Sequence, residues 1–283
     1  MKKYTTLIST EELSQHLHDS EWAIVDCRFA LAFPEKGVQD YFDSHIPGAV
    51  YAHLEKDLSG SIIPGETGRH PWPGVDQAAL FFSRIGIEAG VQVVAYDDAG
   101  GALAAVRLWW MLRWLGHETV AVLDGGWQKW VTEGREVKSG IEVRPQRNFI
   151  SEPRTELLVS TAKVDKLRMD PAYRIFDARA AERYHGLNET IDPVAGHIPG
   201  AFSAPYLDNL TIEGVFRPVE ELRAHYKALV GGIPPEKTIF YCGSGVTSIH
   251  DLLAMLHAGL GEAKLYAGSW SEWIADGKRP VAT

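Results

Sequence analysis

Cysteine is scarce in this sequence: of 283 residues only Cys27 and Cys242 carry a thiol. They lie far apart and form neither a C-x-x-C pair nor a zinc-type spacing, which argues against a disulfide scaffold and a structural zinc site. Long apolar runs are also missing. No stretch approaches the roughly 20 residues of a membrane span, and Met1-Lys2-Lys3-Tyr4-Thr5-Thr6-Leu7 leads into no apolar core of signal-peptide length. Positive charge is in deficit, with a formal net charge of −9, so nucleic acid and anionic membranes are poor partners. These absences predict a cytoplasmic protein with free thiols, no membrane contact, no nucleic acid and no metal. What is present is an ordinary globular composition, 45% hydrophobic and 23% charged. The length exceeds one usual core, so two domains of about 140 residues are expected.

One stretch stands apart: Lys237-Thr238-Ile239-Phe240-Tyr241-Cys242-Gly243-Ser244-Gly245-Val246-Thr247-Ser248. A short β-branched and aromatic run carries a cysteine to its end, two glycines follow, and a helical apolar pattern begins with Leu252, Leu253, Leu256 and Ala258. This reads as strand, tight loop, helix. A thiol placed there faces converging backbone N–H groups and the positive end of a helix, a setting that favours thiolate. A buried structural cysteine is the competing reading. The glycines count against it, because a loop that only connects has no need to pack backbone around one sulfur. Cys27 lacks such a loop and reads as structural.

The chain also repeats itself. Leu7-Ile8-Ser9-Thr10 returns as Leu158-Val159-Ser160-Thr161 and Asp26-Cys27-Arg28 as Asp177-Ala178-Arg179, each shifted by 151 positions. His45-Ile46-Pro47-Gly48-Ala49 returns as His197-Ile198-Pro199-Gly200-Ala201 at 152, and Gly126-Trp127 as Ser269-Trp270 at 143. Two copies of one domain follow, which is a duplication and not a solenoid. The expected boundaries are residues 1–140 for a first domain, 141–156 for a linker broken by Pro145, Asn148 and Pro153, and 157–283 for a second domain. Only the second copy has a cysteine in the loop; aligning Tyr96 with Tyr241 sets Asp97 opposite Cys242.

Each half alternates strands and helices. Ser9 and Glu12 form a predicted capping box. Strands are predicted at Ala23–Asp26, Val91–Tyr96, Thr119–Leu123, Arg174–Asp177, Thr238–Tyr241 and Ala263–Tyr266, and helices at Asp76–Ile85, Ala102–Leu115 and Val219–Val230. Trp109, Trp110 and Trp114 mix with Leu108, Met111 and Leu112 and read as core. The pattern predicts an α/β protein of two mainly parallel sheets with helices on both faces. In such sheets sites lie beyond the C-terminal strand ends, where Cys242 falls.

The paired Asp-x-Arg and His-Ile-Pro-Gly-Ala motifs, with one loop cysteine in the second copy, resemble the tandem-domain rhodanese-type sulfurtransferases over essentially the whole chain. The loop Cys242-Gly243-Ser244-Gly245-Val246-Thr247 is similar to that of the 3-mercaptopyruvate branch; thiosulfate-specific members typically carry Arg and Lys where Gly243 and Ser244 stand. The resemblance implies that Cys242 takes sulfur as a persulfide, with no cofactor, and passes it to cyanide or a thiol, thioredoxin being one candidate acceptor. The N–H groups of Gly243, Ser244, Gly245, Val246 and Thr247 would stabilise the sulfur anion. The resemblance further implies a Ser244–His70–acid relay, with the acid at Glu55 and Asp57 as a nearby rival. Arg183, in Glu182-Arg183-Tyr184-His185-Gly186, would bind the donor carboxylate bidentately. The branch often has a second arginine nine residues on, where this chain has Asp192; Arg69 could compensate. Arg28 and Arg179 read as structural partners of their neighbouring aspartates.

The residues speak against two other classes. A cysteine phosphatase uses Cys-x5-Arg, and the clamp position here is Ser248. A non-catalytic binding module has no use for Cys242 and its glycine loop.

Overall fold

The computed structural model describes residues 2–283, which divide into two compact units. The first comprises the chain up to Ser59, Pro73–Arg154 and Ile212–Phe216; the second comprises Gly60–Trp72, Thr155–Thr211 and Arg217–Thr283. Neither unit is contiguous in sequence, and this matters for the site.

In the first unit the order is β1 (Leu7–Ile8), α1 (Thr10–Ser14), β2 (Trp22–Asp26), α2 (Lys36–Asp43), β3 (Val50–Tyr51), α3 (Val75–Arg84), β4 (Gln92–Tyr96), α4 (Ala104–Trp114), β5 (Val120–Leu123) and α5 (Gly126–Thr132). The strands form one all-parallel sheet in the order β1-β5-β4-β2-β3. Every residue of β2 and β4 is buried, as a sheet covered on both faces requires. On one face Ile24, Val94, Tyr96 and Leu123 pack with Leu13 of α1 and Trp130 of α5. The predicted capping box opens α1: the Glu12 N–H donates to Ser9 Oγ at 3.1 Å and the Ser9 N–H to the Glu12 carboxylate at 3.4 Å. Helix α4 is buried at every position, Trp109, Trp110 and Trp114 included, so those rings are core. Residues 141–154 carry no helix or strand but are pinned to this unit. Arg144 and Arg147 donate to the Ser20 carbonyl, the Phe149 N–H to Ser83 Oγ, and the Arg154 N–H to the Trp114 carbonyl.

The second unit runs through α6 (Thr161–Leu167), β6 (Arg174–Asp177), α7 (Ala181–Tyr184), β7 (Phe202–Ser203), α8 (Val219–Val230), β8 (Thr238–Tyr241), α9 (Ser248–His257), β9 (Lys264–Leu265) and α10 (Ser269–Trp273). Its sheet is again all parallel, in the order β7-β6-β8-β9. Ile175, Ile239 and Tyr241 pack on one face with Val164 of α6 and Trp270 and Trp273 of α10. Phe176 and Phe240 point the other way by strand alternation and stack at 5.1 Å, and Phe240 meets Tyr226 of α8. Thus the fold is α/β, two sheets of one design.

The repeated motifs prove to be scaffold. Asp26 receives Arg28 Nη2 at 2.6 Å and the Tyr96 hydroxyl at 2.6 Å; Asp177 receives Arg179 Nη2 at 2.6 Å. Each arginine then donates to a carbonyl, of Ser44 or Gly196, and lies over a tryptophan, Trp127 or Trp270. Breaking one partner of such a buried pair would strand a charge, typically at about 3–5 kcal/mol. His45 and His197 each place Nδ1 against a backbone oxygen, of Tyr41 and Tyr184, and stack on that tyrosine's ring. Cys27 is fully buried, and burial pushes its thiol well above the ordinary range, as befits an inert core thiol.

Candidate active site

Strand β8 delivers Cys242 to the C-terminal edge of the second sheet, and α9 begins six residues later. The loop between them is gripped by the start of α10. The Cys242 N–H donates to Ser269 Oγ at 3.1 Å, and the carbonyls of Cys242 and Gly243 accept from the N–H groups of Trp270 and Ser271 at 2.9 Å each. Ser269 has φ = 57°, the only left-handed non-glycine among the described residues. Such a conformation costs on the order of 1–2 kcal/mol; here it aims a hydroxyl at the nucleophile candidate's backbone. Gly245 is required by space, since at φ = +73° a Cβ there would stand 2.1 Å from the Ala267 carbonyl oxygen.

The Cys242 thiol is 1% exposed. Burial alone would raise its pKa, but hydrogen bonds from the Thr247 hydroxyl, the Ser248 and Ser244 N–H groups and the Ser248 hydroxyl outweigh burial, and the net shift is downward. The Ser248 hydroxyl has no oxygen or nitrogen partner of its own, which leaves it for the sulfur. The cradle therefore extends one residue beyond the expected Gly243–Thr247, and two of its donors are hydroxyls. In the sequence Ser248 marks only the place of a phosphatase's arginine; its place in the cradle follows from the first turn of α9. Behind the loop, Asp251 of α9 is buried, with Oδ1 accepting from Asn209 Nδ2 at 2.7 Å and the Tyr226 hydroxyl at 2.8 Å. Burial pushes its carboxyl well above the usual range.

His70 and Ser244 come together, although 174 residues separate them: His70 Nδ1 lies 2.7 Å from Ser244 Oγ, both side chains buried. The reason is that Gly60–Trp72 belongs to the second unit. There the Arg69 N–H donates to Ser271 Oγ at 3.0 Å, and a Cβ on Gly68 would clash with the Gly268 carbonyl at 2.7 Å. Glu55 belongs to the first unit and is exposed, its N–H donating to His53 Nδ1 at 3.1 Å. Asp57, also there, is engaged by Arg84 at 2.8 Å and by the His53 N–H at 2.9 Å.

Arg183 is not a free cation. Its guanidinium meets Glu189 through Nε at 3.0 Å and Nη2 at 2.9 Å, and Nη2 also donates to Asp192 at 2.9 Å. The other oxygen of Asp192 accepts from Arg69 Nη1 at 2.7 Å. Burial would raise Glu189, but Arg183 and the N–H groups of Asp192 and Ile191 bring it below the usual carboxylate range. A Cβ at Gly243 would lie 3.1 Å from Arg69 Nη2, 3.7 Å from Asp192 Oδ2 and 3.8 Å from Arg183 Nη1. The loop sequence is neutral, yet the fold sets two arginines and a carboxylate against it. Among the described residues no group of three His, Cys, Asp or Glu side chains could hold a metal ion, and no helix is long and apolar enough to cross a membrane.

A buried sulfur whose thiolate form is favoured by loop donors, beside a hydroxyl–imidazole pair, suits nucleophilic chemistry followed by proton transfer. The rhodanese-like domain matches residues 9–133 and again 160–276. A probable 3-mercaptopyruvate sulfurtransferase of Pseudomonas aeruginosa is 44% identical over 98% of both chains. A putative thiosulfate sulfurtransferase of Mycobacterium tuberculosis is 35% identical over 97% of this chain and 96% of its own. The crystal structure of SseA from Escherichia coli, a 3-mercaptopyruvate sulfotransferase, superposes with a TM-score of 0.81 at 32% identity, covering 95% of this chain and all of the other. The chain belongs to the rhodanese family, with two rhodanese-like domains in tandem.

Proposed function

We propose that the protein is a sulfurtransferase that takes sulfane sulfur from 3-mercaptopyruvate as a persulfide on Cys242 and hands it to a thiophilic acceptor, cyanide or a thiol. The observation that carries this reading is the lowered Cys242 thiol with the His70–Ser244 pair 2.7 Å across beside it. The Cys242 thiolate attacks the donor sulfur; an S–S bond forms, the C–S bond breaks, and its electron pair leaves on carbon as the enolate of pyruvate. That carbon must gain a proton, and the donor's thiol proton must leave the new persulfide. Ser244, backed by His70, stands between the two as proton carrier. The acceptor then attacks the outer sulfur, the S–S bond breaks, and the electrons return to Cys242. Glu55 is our candidate for the acid of the relay, with Asp57 as its rival. Thioredoxin is one proposed thiol acceptor. The free thiols Cys27 and Cys242 fit a reducing, cytoplasmic setting.

Thiosulfate as donor is the second reading, favoured by the guanidinium of Arg69 against Gly243. Steady-state kinetics with both donors and cyanide decide between them. We expect kcat/KM to favour mercaptopyruvate, and intact mass to rise by about 32 Da, one sulfur, on Cys242 after donor. A large preference for thiosulfate overturns the donor assignment, and sulfur uptake that persists in Cys242→Ser overturns the site.

A further inference from the structure

Six charged side chains of the second unit form an unbroken alternating line: Asp177, Arg179, Glu189, Arg183, Asp192, Arg69. Successive contacts are 2.6, 3.3, 2.9, 2.9 and 2.7 Å. The line starts at the scaffold clamp of β6 and ends on the residue after Cys242. Its inner members are rigid: Glu189 accepts the N–H groups of Ile191 and Asp192 at 2.9 and 3.0 Å, which folds the 189–192 turn back on itself. The outer end is different. Arg183 and Arg69 keep part of their side chains in solvent, 17% and 24%, while the Asp192 carboxylate between them is 2% exposed. One carboxylate with each oxygen on a different guanidinium, 3.7 Å from the Cβ position of Gly243, is the arrangement an incoming carboxylate would adopt beside this sulfur.

We propose that Asp192 is the donor-selectivity residue of this site, its carboxylate occupying the seat between Arg69 and Arg183 that the anionic group of a sulfur donor must take. The proposal rests on the sulfurtransferase reading and adds to it a competition. A donor wins the arginines only by displacing a tethered carboxylate, whose effective concentration for so short a tether is in the millimolar range. The seat therefore screens donors by charge. A monoanionic α-keto acid replaces one carboxylate by another and leaves the local charge balanced once Asp192 turns outward. A dianion meets the same two cations already matched, and carries one more negative charge against Asp192 and Glu189. Arg69 Nε, buried with no partner in the resting arrangement, is a further donor for the anion that arrives. The neutral Gly243-Ser244 pair lets these side chains lie on the loop, since a side chain at position 243 would fill their place.

A purely structural Asp192, one that only holds the arginines in position, makes the opposite prediction, so Asp192→Asn separates the two. Asn keeps the shape and removes the charge. We expect KM for mercaptopyruvate to fall roughly tenfold with kcat within about threefold, and kcat/KM for thiosulfate to rise more, roughly thirtyfold. A second readout needs no turnover: protection of Cys242 from iodoacetamide by pyruvate, which has the carboxylate and no sulfur to give. The protecting concentration is expected to fall roughly tenfold in Asp192→Asn and to return to the original value or above in Asp192→Asn/Arg69→Gln. Unchanged or weaker protection in a folded Asp192→Asn protein overturns the proposal, as does a rise in KM for both donors. If neither donor is turned over by the unaltered protein, the function assigned above fails, while the protection series still decides the role of Asp192.

Discussion

At the C-terminal edge of the first sheet the chain places Asp97; at the same point of the second it places Cys242. Both follow a tyrosine that closes a buried strand, and both precede a loop that turns its N–H groups inward. Asp97 is fully buried, and its carboxylate accepts the N–H groups of Ala99, Gly101, Leu103 and Ala105 at 2.9, 2.8, 3.0 and 3.2 Å. Burial pushes it up to about 6 against the pull of those four donors. Cys242 is held by two N–H groups and two hydroxyls, and shifts downward. One cradle is thus filled by the chain's own fixed carboxylate, and the other surrounds the thiol that we propose reacts as an anion. Position 126 against 269 makes the same contrast. Gly126 takes φ = 54° without cost, and its neighbour's N–H meets the Asp97 carbonyl at 2.8 Å; Ser269 takes φ = 57° and spends its hydroxyl on Cys242. Duplication supplied the cradle twice, and the chemistry lies in the few residues where the copies differ.

The comparison can be broken most forcefully by emptying each cradle in turn. Cys242→Ser should lose at least about 10³-fold of sulfur transfer while urea unfolding moves by no more than about 1 kcal/mol. Asp97→Ala should do the reverse: four N–H groups lose their acceptor, stability drops by roughly 3 kcal/mol, and the folded fraction keeps its turnover. Were Asp97→Ala to unfold no more easily than the unaltered protein, the fixed-anion reading of the first loop would be wrong.

Ser244→Ala tests a smaller difference, since Ala99 already stands at the matching place in the first copy. We expect kcat/KM for mercaptopyruvate to fall about 100-fold, with alkylation of Cys242 nearly unchanged because the Ser244 N–H remains. A smaller effect again comes from moving the thiol. In the Cys242→Ser background, Asp97→Cys should give a thiol whose alkylation midpoint lies about 1–2 pH units above that of Cys242. The first loop has Ala102 and Leu103 where the second has Thr247 and Ser248, so it offers N–H groups but no hydroxyls. The smallest effect is expected of Ser269→Gly, which relieves the left-handed backbone, about 1 kcal/mol, and forfeits two hydrogen bonds, Cys242 N–H to Oγ and Oγ–H to the Tyr266 carbonyl, of about 1 kcal/mol each. Thermal unfolding should shift little while sulfur transfer falls severalfold; a large loss of stability would mean the serine is held there for the fold alone.

The sequence made the scaffold legible because its signals are local. Buried strands such as Ala23–Asp26 and Thr238–Tyr241, the Ser9–Glu12 capping box and the Val219–Val230 helix each declare themselves within a few residues. The two-residue strands β3 and β7 did not, being too short for a period to show. The nucleophile candidate and its loop were readable for the same local reason. The partners of Arg183 were not: Arg69 reaches Asp192 across 123 positions, and only the fold shows that the two arginines share one carboxylate. Ser269 was equally silent, because its task depends on a left-handed φ that no serine signals in advance.

The whole account stands on an anionic sulfur in the second cradle. The direct measurement is the rate of Cys242 alkylation by iodoacetamide against pH, in the unaltered protein and in Thr247→Val. Because the fold favours the thiolate, the midpoint should lie below the ordinary thiol value of about 8.5, with reactivity lost only as pH falls through that lowered midpoint. Thr247→Val should move it upward by about one unit. A midpoint at or above the ordinary value, unmoved by the loss of the Thr247 hydroxyl, would contradict the claim.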